Sequence, residues 1–77
     1  MKVYITKYAL TEGILEVEAE LFADGRAVKW DQWSTAHGEG KEWHRTREGA
    51  KVRADVMRNR KIKSMRESIA KLEKMTW

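Results

Sequence analysis

The chain has 77 residues, no cysteine and a formal net charge of +4, which limits it to one small domain (residues 1–77) and excludes disulfides and cysteine-based metal sites. Its opening MKVYITKYALTEG lacks the continuous apolar stretch of a signal peptide, and no later run approaches the roughly 18 apolar residues of a membrane span. We therefore expect a cytoplasmic protein without a membrane partner.

The first 45 residues are predicted to form an antiparallel meander. Val3 and Ile5 mark a first strand, and residues 15–21 alternate apolar and acidic side chains, as half-buried strands do. Asp24-Gly25 favours a tight hairpin turn, and a third strand follows over residues 26–33. The acidic positions of the second strand are Glu16, Glu18 and Glu20, which we interpret as a solvated face and not as paired catalytic carboxylates.

The segment HGEGKEWHRTREGA, residues 37–50, has the residue types of an active-site loop. His37 and His44 nevertheless match no zinc spacing, and no G-x-S-x-G sequence surrounds a serine nucleophile. We predict a loop over residues 34–40 and a short fourth strand over residues 41–45 that places Trp43 in the core. No catalytic residue, metal ligand or cofactor is predicted.

From Thr46 onward the sequence has the period of a helix, with Thr46 as its N-cap and Glu48 in the first turn. At 100° per residue, one stripe contains Ala50, Ala54, Met57, Met65, Ile69, Leu72 and Met75. A helix of about 30 residues is roughly 45 Å long, which is longer than the predicted sheet. Its second half, with Ile62, Met65, Ile69 and Leu72, has the spacing of a coiled-coil seam and predicts a homodimer, whereas a break near Asn59 would instead give two shorter helices.

The charge is divided unevenly between the two parts of the chain. Residues 1–45 carry six Lys or Arg against eight Asp or Glu, and residues 46–77 carry ten against four. A basic helix of this kind suggests a polyanion or an acidic protein surface as partner. Its basic side chains are spread around the wheel, which favours a protein partner over the phosphate backbone of a nucleic acid.

Four tryptophans are many for so short a chain. Stacking platforms for single-stranded nucleic acid use tryptophans, but we expect two or three of Trp30, Trp33, Trp43 and Trp77 to fill the core. Trp77, at the C-terminus, is expected to be exposed or at an interface. The predicted partner-binding residues are Arg58, Arg60, Lys61, Lys63, Arg66 and Trp77.

The segments KVYITKYALTEGI, HGEGKEWHRTREGA and SIAKLEK together resemble a group of small uncharacterised phage and prophage proteins. The resemblance covers most of the chain and implies a phage accessory protein made in a bacterial cytoplasm, with no functional residue to carry over. By analogy with anti-CRISPR proteins, we expect a non-enzymatic inhibitor that binds a host protein or nucleoprotein complex. The alternative is a DNA- or RNA-binding accessory or regulatory protein that uses the basic helix.

The expected fold is α+β, a three- or four-stranded antiparallel β-meander (residues 1–45) packed on a long, basic, amphipathic C-terminal α-helix (residues 46–77).

Overall fold

A computed structural model describes all 77 residues and confirms the α+β class. The elements in chain order are β1 (Lys2–Ile5), α1 (Ala9–Glu12), β2 (Leu15–Glu18), β3 (Glu20–Phe22), β4 (Ala27–Lys29), β5 (Thr35–His37), β6 (Trp43–His44) and α2 (Arg47–Glu73). Every strand pair is antiparallel. None of the helices combines the length and the apolar character that crossing a bilayer requires.

The strands form two three-stranded sheets, with the orders β2-β1-β6 in the first sheet and β3-β4-β5 in the second. The predicted second strand is interrupted at Ala19, where the chain leaves the first sheet and enters the second. The backbone N–H of Ala19 donates to the carbonyl of Met1 at 2.8 Å, so the crossing point is hydrogen-bonded to the start of β1.

A small cluster of side chains from both sheets forms the core. Its buried members are Val3, Ile5, Ala19, Val28, Ala36 and Trp43, with Leu15, Val17 and Trp30 packed against them. Trp43 is the largest of these, and its indole N–H donates to the carbonyl of Arg26 at 3.2 Å. The core roles predicted for Trp30 and Trp43 are therefore confirmed, and one hydrogen bond satisfies the polar atom of the buried indole.

Two further predictions about the sheet differ from the structure. Residues 35–37 form β5 instead of lying in a loop, because their backbone pairs with β4 in the register Val28↔Ala36. Trp33, the last residue of the predicted third strand, lies outside β4, is 87% exposed and is not a core residue. The stretch between β4 and β5 is an irregular turn, in which the Trp33 N–H donates to the Asp31 carboxylate at 2.7 Å.

The hairpin between β3 and β4 needs three successive residues with positive φ. They are Ala23 (54°), Asp24 (58°) and Gly25 (81°). Asp24 and Gly25 were predicted for such a turn, whereas alanine at Ala23 adopts a conformation that glycine or asparagine accepts at lower cost. The turn is closed by a hydrogen bond from the Gly25 N–H to the carbonyl of Phe22 at 3.2 Å.

Helix α2 is continuous through Asn59, so the alternative of a break there is wrong. The predicted N-cap is confirmed, since the Thr46 hydroxyl oxygen accepts from the Gly49 N–H at 3.1 Å. The helix contacts α1, β1 and β6, and its 27 residues give a rod of about 40 Å.

The helix extends well beyond the sheets. A compact chain of this length has a radius of gyration of about 11–12 Å, whereas the observed value is 16.2 Å with extents of 56 × 25 × 20 Å. Only Ala50 is buried in α2, while Arg53, Ala54 and Met57 are half-buried. Packing on the body of the protein therefore ends near Met57.

Candidate interaction surfaces

The HGEGKEWH segment contributes to the packing of the first sheet against α2. His44 is 5% exposed, and its Nε2 lies 2.9 Å from the Thr6 hydroxyl. That hydroxyl donates its own proton to the Lys41 carbonyl at 2.7 Å. It must therefore accept from His44, which requires the neutral ring to carry its proton on Nε2.

The other ring nitrogen of His44 faces the first turn of α2. A Cβ built on Gly49 would lie 3.7 Å from His44 Nδ1 and 3.1 Å from the Thr46 hydroxyl oxygen. The helix thus begins directly over the imidazole, where a residue without a side chain leaves room. Burial, together with the positive charge of Arg53, lowers the pKa of His44 below its ordinary value.

His37 lies apart from this network. Its backbone N–H donates to the Glu42 carboxylate at 2.9 Å, and Glu39 pairs with Arg45 at 2.7 Å. No group of three or more His, Asp or Glu side chains lies close enough together to hold a metal ion. The polar residues of this loop are instead bonded to one another and to neighbouring backbone.

The second sheet has an exposed aromatic face that the sequence reasoning missed. The rings of Phe22 and His37 meet edge to face, with centroids 5.8 Å apart. Both residues are register partners of Ala27, which they flank. A groove of about 490 Å³ adjoins this face and is lined by Glu20, Leu21, Phe22, Lys29, Gln32, Trp33 and Thr35. The alternation of residues 15–21 predicts Leu21 on the same strand face as Leu15, Val17 and Ala19, and it makes no prediction for Phe22.

We call residues 58–73 of α2 the distal helix. Every residue from Arg58 to Trp77 is exposed. Within the distal helix, four apolar side chains follow one another at intervals of three, four and three residues, and we call them the seam: Ile62, Met65, Ile69 and Leu72. Their exposed fractions run from 39% to 64%, so nothing in the chain covers them.

The seam has a defined beginning. One heptad before Ile62 and Met65 stand Asp55 and Arg58, whose side chains form an ion pair at 3.3 Å. The stripe is therefore polar where packing on the body ends, around Met57, and apolar afterwards. The pair is solvent-exposed, so it contributes little to stability and mainly marks where the seam starts.

The predicted partner-binding residues all lie on the exposed part of the chain, but they do not form one patch. At 100° per residue, Lys61 and Arg66 flank the seam on its two sides, and Arg58 continues it towards the body. Arg60 and Lys63 lie on the opposite side of the helix. Trp77 follows the end of α2 and is fully exposed.

The sequence pattern, with basic side chains spread around the whole wheel, does not single out Arg66 as a residue beside the apolar stripe. That stripe was drawn for the whole helix, including the part that packs on the body. The seam of the distal helix lies to one side of the face that packs on the body. Arg66 borders the seam.

No protein-family model, curated protein or solved structure matches this chain.

Proposed function

We propose that this chain is a non-enzymatic accessory protein of phage type that binds and inhibits a host protein or nucleoprotein complex, in the manner of anti-CRISPR proteins. The observation that carries the proposal is the distal helix. It extends past the sheets with its seam uncovered. A row of exposed large apolar side chains of this kind is a common mark of an interaction site. Helix-in-groove binding uses anchors at this spacing.

The charge of the distal region supports an acidic partner surface. Residues 58–77 contain seven Lys or Arg against Glu67 and Glu73. Complementary charges around an apolar contact raise the association rate and disfavour wrong partners. A partner that presents an apolar groove with carboxylates on its rim matches both properties of the helix.

The roles of the two histidines support binding over catalysis. His44 is held between Thr6 and the start of α2, and His37 packs against Phe22. Each ring therefore has a structural contact that explains its presence. A bacterial cytoplasm as the place of action rests on the resemblance to small phage and prophage proteins.

A second candidate function is binding of DNA or RNA by the same helix. Arg60 and Lys63 favour it, because they lie opposite the seam and a protein partner seated on the seam leaves them free. A phosphate backbone attracts such side chains at low salt. This candidate does not explain why the seam itself is apolar.

Capture from a bacterial lysate tests the two candidates against each other. The immobilised chain is compared with a variant that combines Ile69→Ser and Leu72→Ser, each with and without nuclease treatment. The proposal predicts a captured protein that survives nuclease and is absent with the seam variant. Capture that disappears with nuclease and is retained by the seam variant would overturn it in favour of nucleic acid.

A further inference from the structure

The width of the seam indicates the shape of what covers it. In the distal helix the large apolar residues recur with the strict spacing of heptad positions a and d. The one further apolar residue, Ala70, is at position b and does not widen the seam. A helix that packs on a sheet or lies in a membrane interface has a wider apolar face. A seam of two positions per heptad is the width that a single partner helix covers.

The residues beside the seam determine which partner helix is compatible. With Ile62 at position a, the flanking e and g positions are occupied by Lys61 (g), Arg66 (e), Ser68 (g) and Glu73 (e). Lys61 and Arg66 form no ion pair within the chain. Their charges are therefore available to a partner, since e and g side chains set partner choice in paired helices.

These charges disfavour a second copy of this chain. In a parallel pair, position g contacts the following e of the other helix, so Lys61 would face Arg66 twice. In an antiparallel pair that places Ile62 beside Leu72 and Met65 beside Ile69, position e contacts e, so Arg66 would face its own copy. Like charges opposed in this way cost free energy, and neither orientation gives Lys61 a carboxylate.

We infer that the seam pairs with one amphipathic helix of a different protein, with apolar residues at its a and d positions and Asp or Glu at the e and g positions that face Lys61 and Arg66. This inference rests on the proposed function and specifies the chemistry of its partner. The partner helix supplies the apolar cover that the seam lacks and the negative charges that these two side chains lack.

Two synthetic peptides provide the test. Both have three heptads with Ile at a and Leu at d; one has Glu at every e and g position, and the other has Lys there. Binding to the full chain is measured by isothermal titration. We expect the Glu peptide to bind at least about tenfold more tightly than the Lys peptide, and the variant with Ile69→Ser and Leu72→Ser to bind neither.

Charge reversal distinguishes pairing at the seam from general attraction to a basic protein. The variant with Lys61→Glu and Arg66→Glu should prefer the Lys peptide. The matched control, with Arg60→Glu and Lys63→Glu, has the same net charge but alters the opposite side of the helix, and it should still prefer the Glu peptide. If both variants change preference equally, the inference is wrong.

Self-association is measured on the same variants by sedimentation equilibrium. A dimer at micromolar concentration that dissociates with Ile69→Ser and Leu72→Ser would show that a second copy covers the seam, and would overturn the inference. Seam-dependent capture from lysate without any discrimination between the peptides would refute the inference and leave the proposed function standing. Discrimination between the peptides without seam-dependent capture would refute the proposed function. The inference that the seam prefers an acidic amphipathic helix would remain supported.

Discussion

His44 donates a hydrogen bond from Nε2 to the hydroxyl of Thr6, across 2.9 Å and 38 positions of sequence. Thr6 directly follows β1, and His44 lies in β6, which pairs with β1 in the antiparallel register Tyr4↔His44, so the bond links two neighbouring strands. The same hydroxyl donates to the Lys41 carbonyl. A single buried oxygen therefore satisfies the polar groups of two other residues at this end of the first sheet.

Replacing that oxygen is expected to destabilise the protein. Thr6→Val keeps the shape of the side chain but leaves the buried His44 N–H and the Lys41 carbonyl without their partner. Unsatisfied buried groups cost about 1–3 kcal/mol each, so we expect the free energy of unfolding to fall by at least about 1 kcal/mol in urea titrations. Thr6→Ser retains the hydroxyl and should lose less. A Thr6→Val protein as stable as the wild type would contradict the hydrogen-bond assignment.

The lowered pKa of His44 predicts a pH dependence of stability. Burial and Arg53 disfavour the charged ring in the folded state, so the unfolded state binds the proton more readily. Above the ordinary histidine pKa of about 6.5, His44 is neutral in both the folded and the unfolded state, and the protein has its full stability with respect to this group. As the pH falls from there towards the lower folded-state pKa, the unfolded state gains a proton first and stability declines.

The measurement is the urea midpoint between pH 8 and about pH 5.5, which is above the ordinary range of carboxyl groups. We expect the midpoint to decrease with falling pH in the wild type, and the decrease to be smaller in His44→Gln, in which the titrating ring is absent. An equal decrease in both proteins would assign the effect to other groups.

Gly13 ends α1 in a backbone conformation that side chains seldom adopt, with φ 76° and ψ −164°. A Cβ added there would have no atom within 4 Å, so any cost of Gly13→Ala comes from the backbone and not from crowding. We expect a loss of about 1–3 kcal/mol in thermal or urea unfolding. A chemically synthesised chain with D-alanine at this position should recover stability, because D residues favour positive φ; an equal loss in both would indicate a steric cause.

The exposed seam predicts that its apolar residues contribute little to the stability of the free protein. Ile69→Ala and Leu72→Ala should each change the free energy of unfolding by no more than about 0.5 kcal/mol. By contrast, Ile5→Val removes one methyl group from the core and should cost about 0.5–1.5 kcal/mol. Large effects at the seam that grow with protein concentration would mean that the folded chain covers it by self-association.

Local patterns were sufficient for several parts of the fold. The period-two alternation identified Val3 and Ile5, a hydroxyl before a helical pattern identified Thr46 as the N-cap, and the absence of proline after it predicted the long helix. These signals work because each depends on residues that are close together in sequence. The same is true of the seam, whose spacing is visible without any tertiary information.

The second sheet was less accessible to sequence reasoning. Strand β5 has three residues and no alternation, and only its hydrogen bonds to β4 define it. The interruption at Ala19 transfers Leu21 and Phe22 to another sheet, and both are exposed there. Which face of a short strand is buried depends on what packs against it, and that is decided by contacts between distant residues.

The salt dependence of binding to free nucleic acid separates the two proposed functions. If duplex DNA is the direct partner, the logarithm of its affinity falls linearly with the logarithm of salt concentration. Replacing Arg58, Arg60, Lys61 and Lys63 by glutamine should then flatten that slope by about 0.9 for each phosphate that the variant no longer neutralises. Fluorescence anisotropy of labelled DNA between about 50 and 200 mM salt, a range over which such binding changes strongly, measures it.

The protein-binding proposal predicts a different result in the same experiment. Free DNA and RNA should bind only non-specifically, as they do to any basic surface, with a Kd of about 10⁻⁴ to 10⁻⁶ M at physiological salt. The reason is that Arg60 and Lys63 lie on the other side of the helix from Arg58 and Lys61, so the four side chains do not form one face. Affinity for the captured host protein should instead depend on Ile69 and Leu72, with Arg66 and Trp77 as further anchors of the types that dominate interfaces. Nanomolar binding of naked nucleic acid, abolished by the four glutamine substitutions and unchanged by Ile69→Ser with Leu72→Ser, would show that the basic side chains and not the seam form the functional surface.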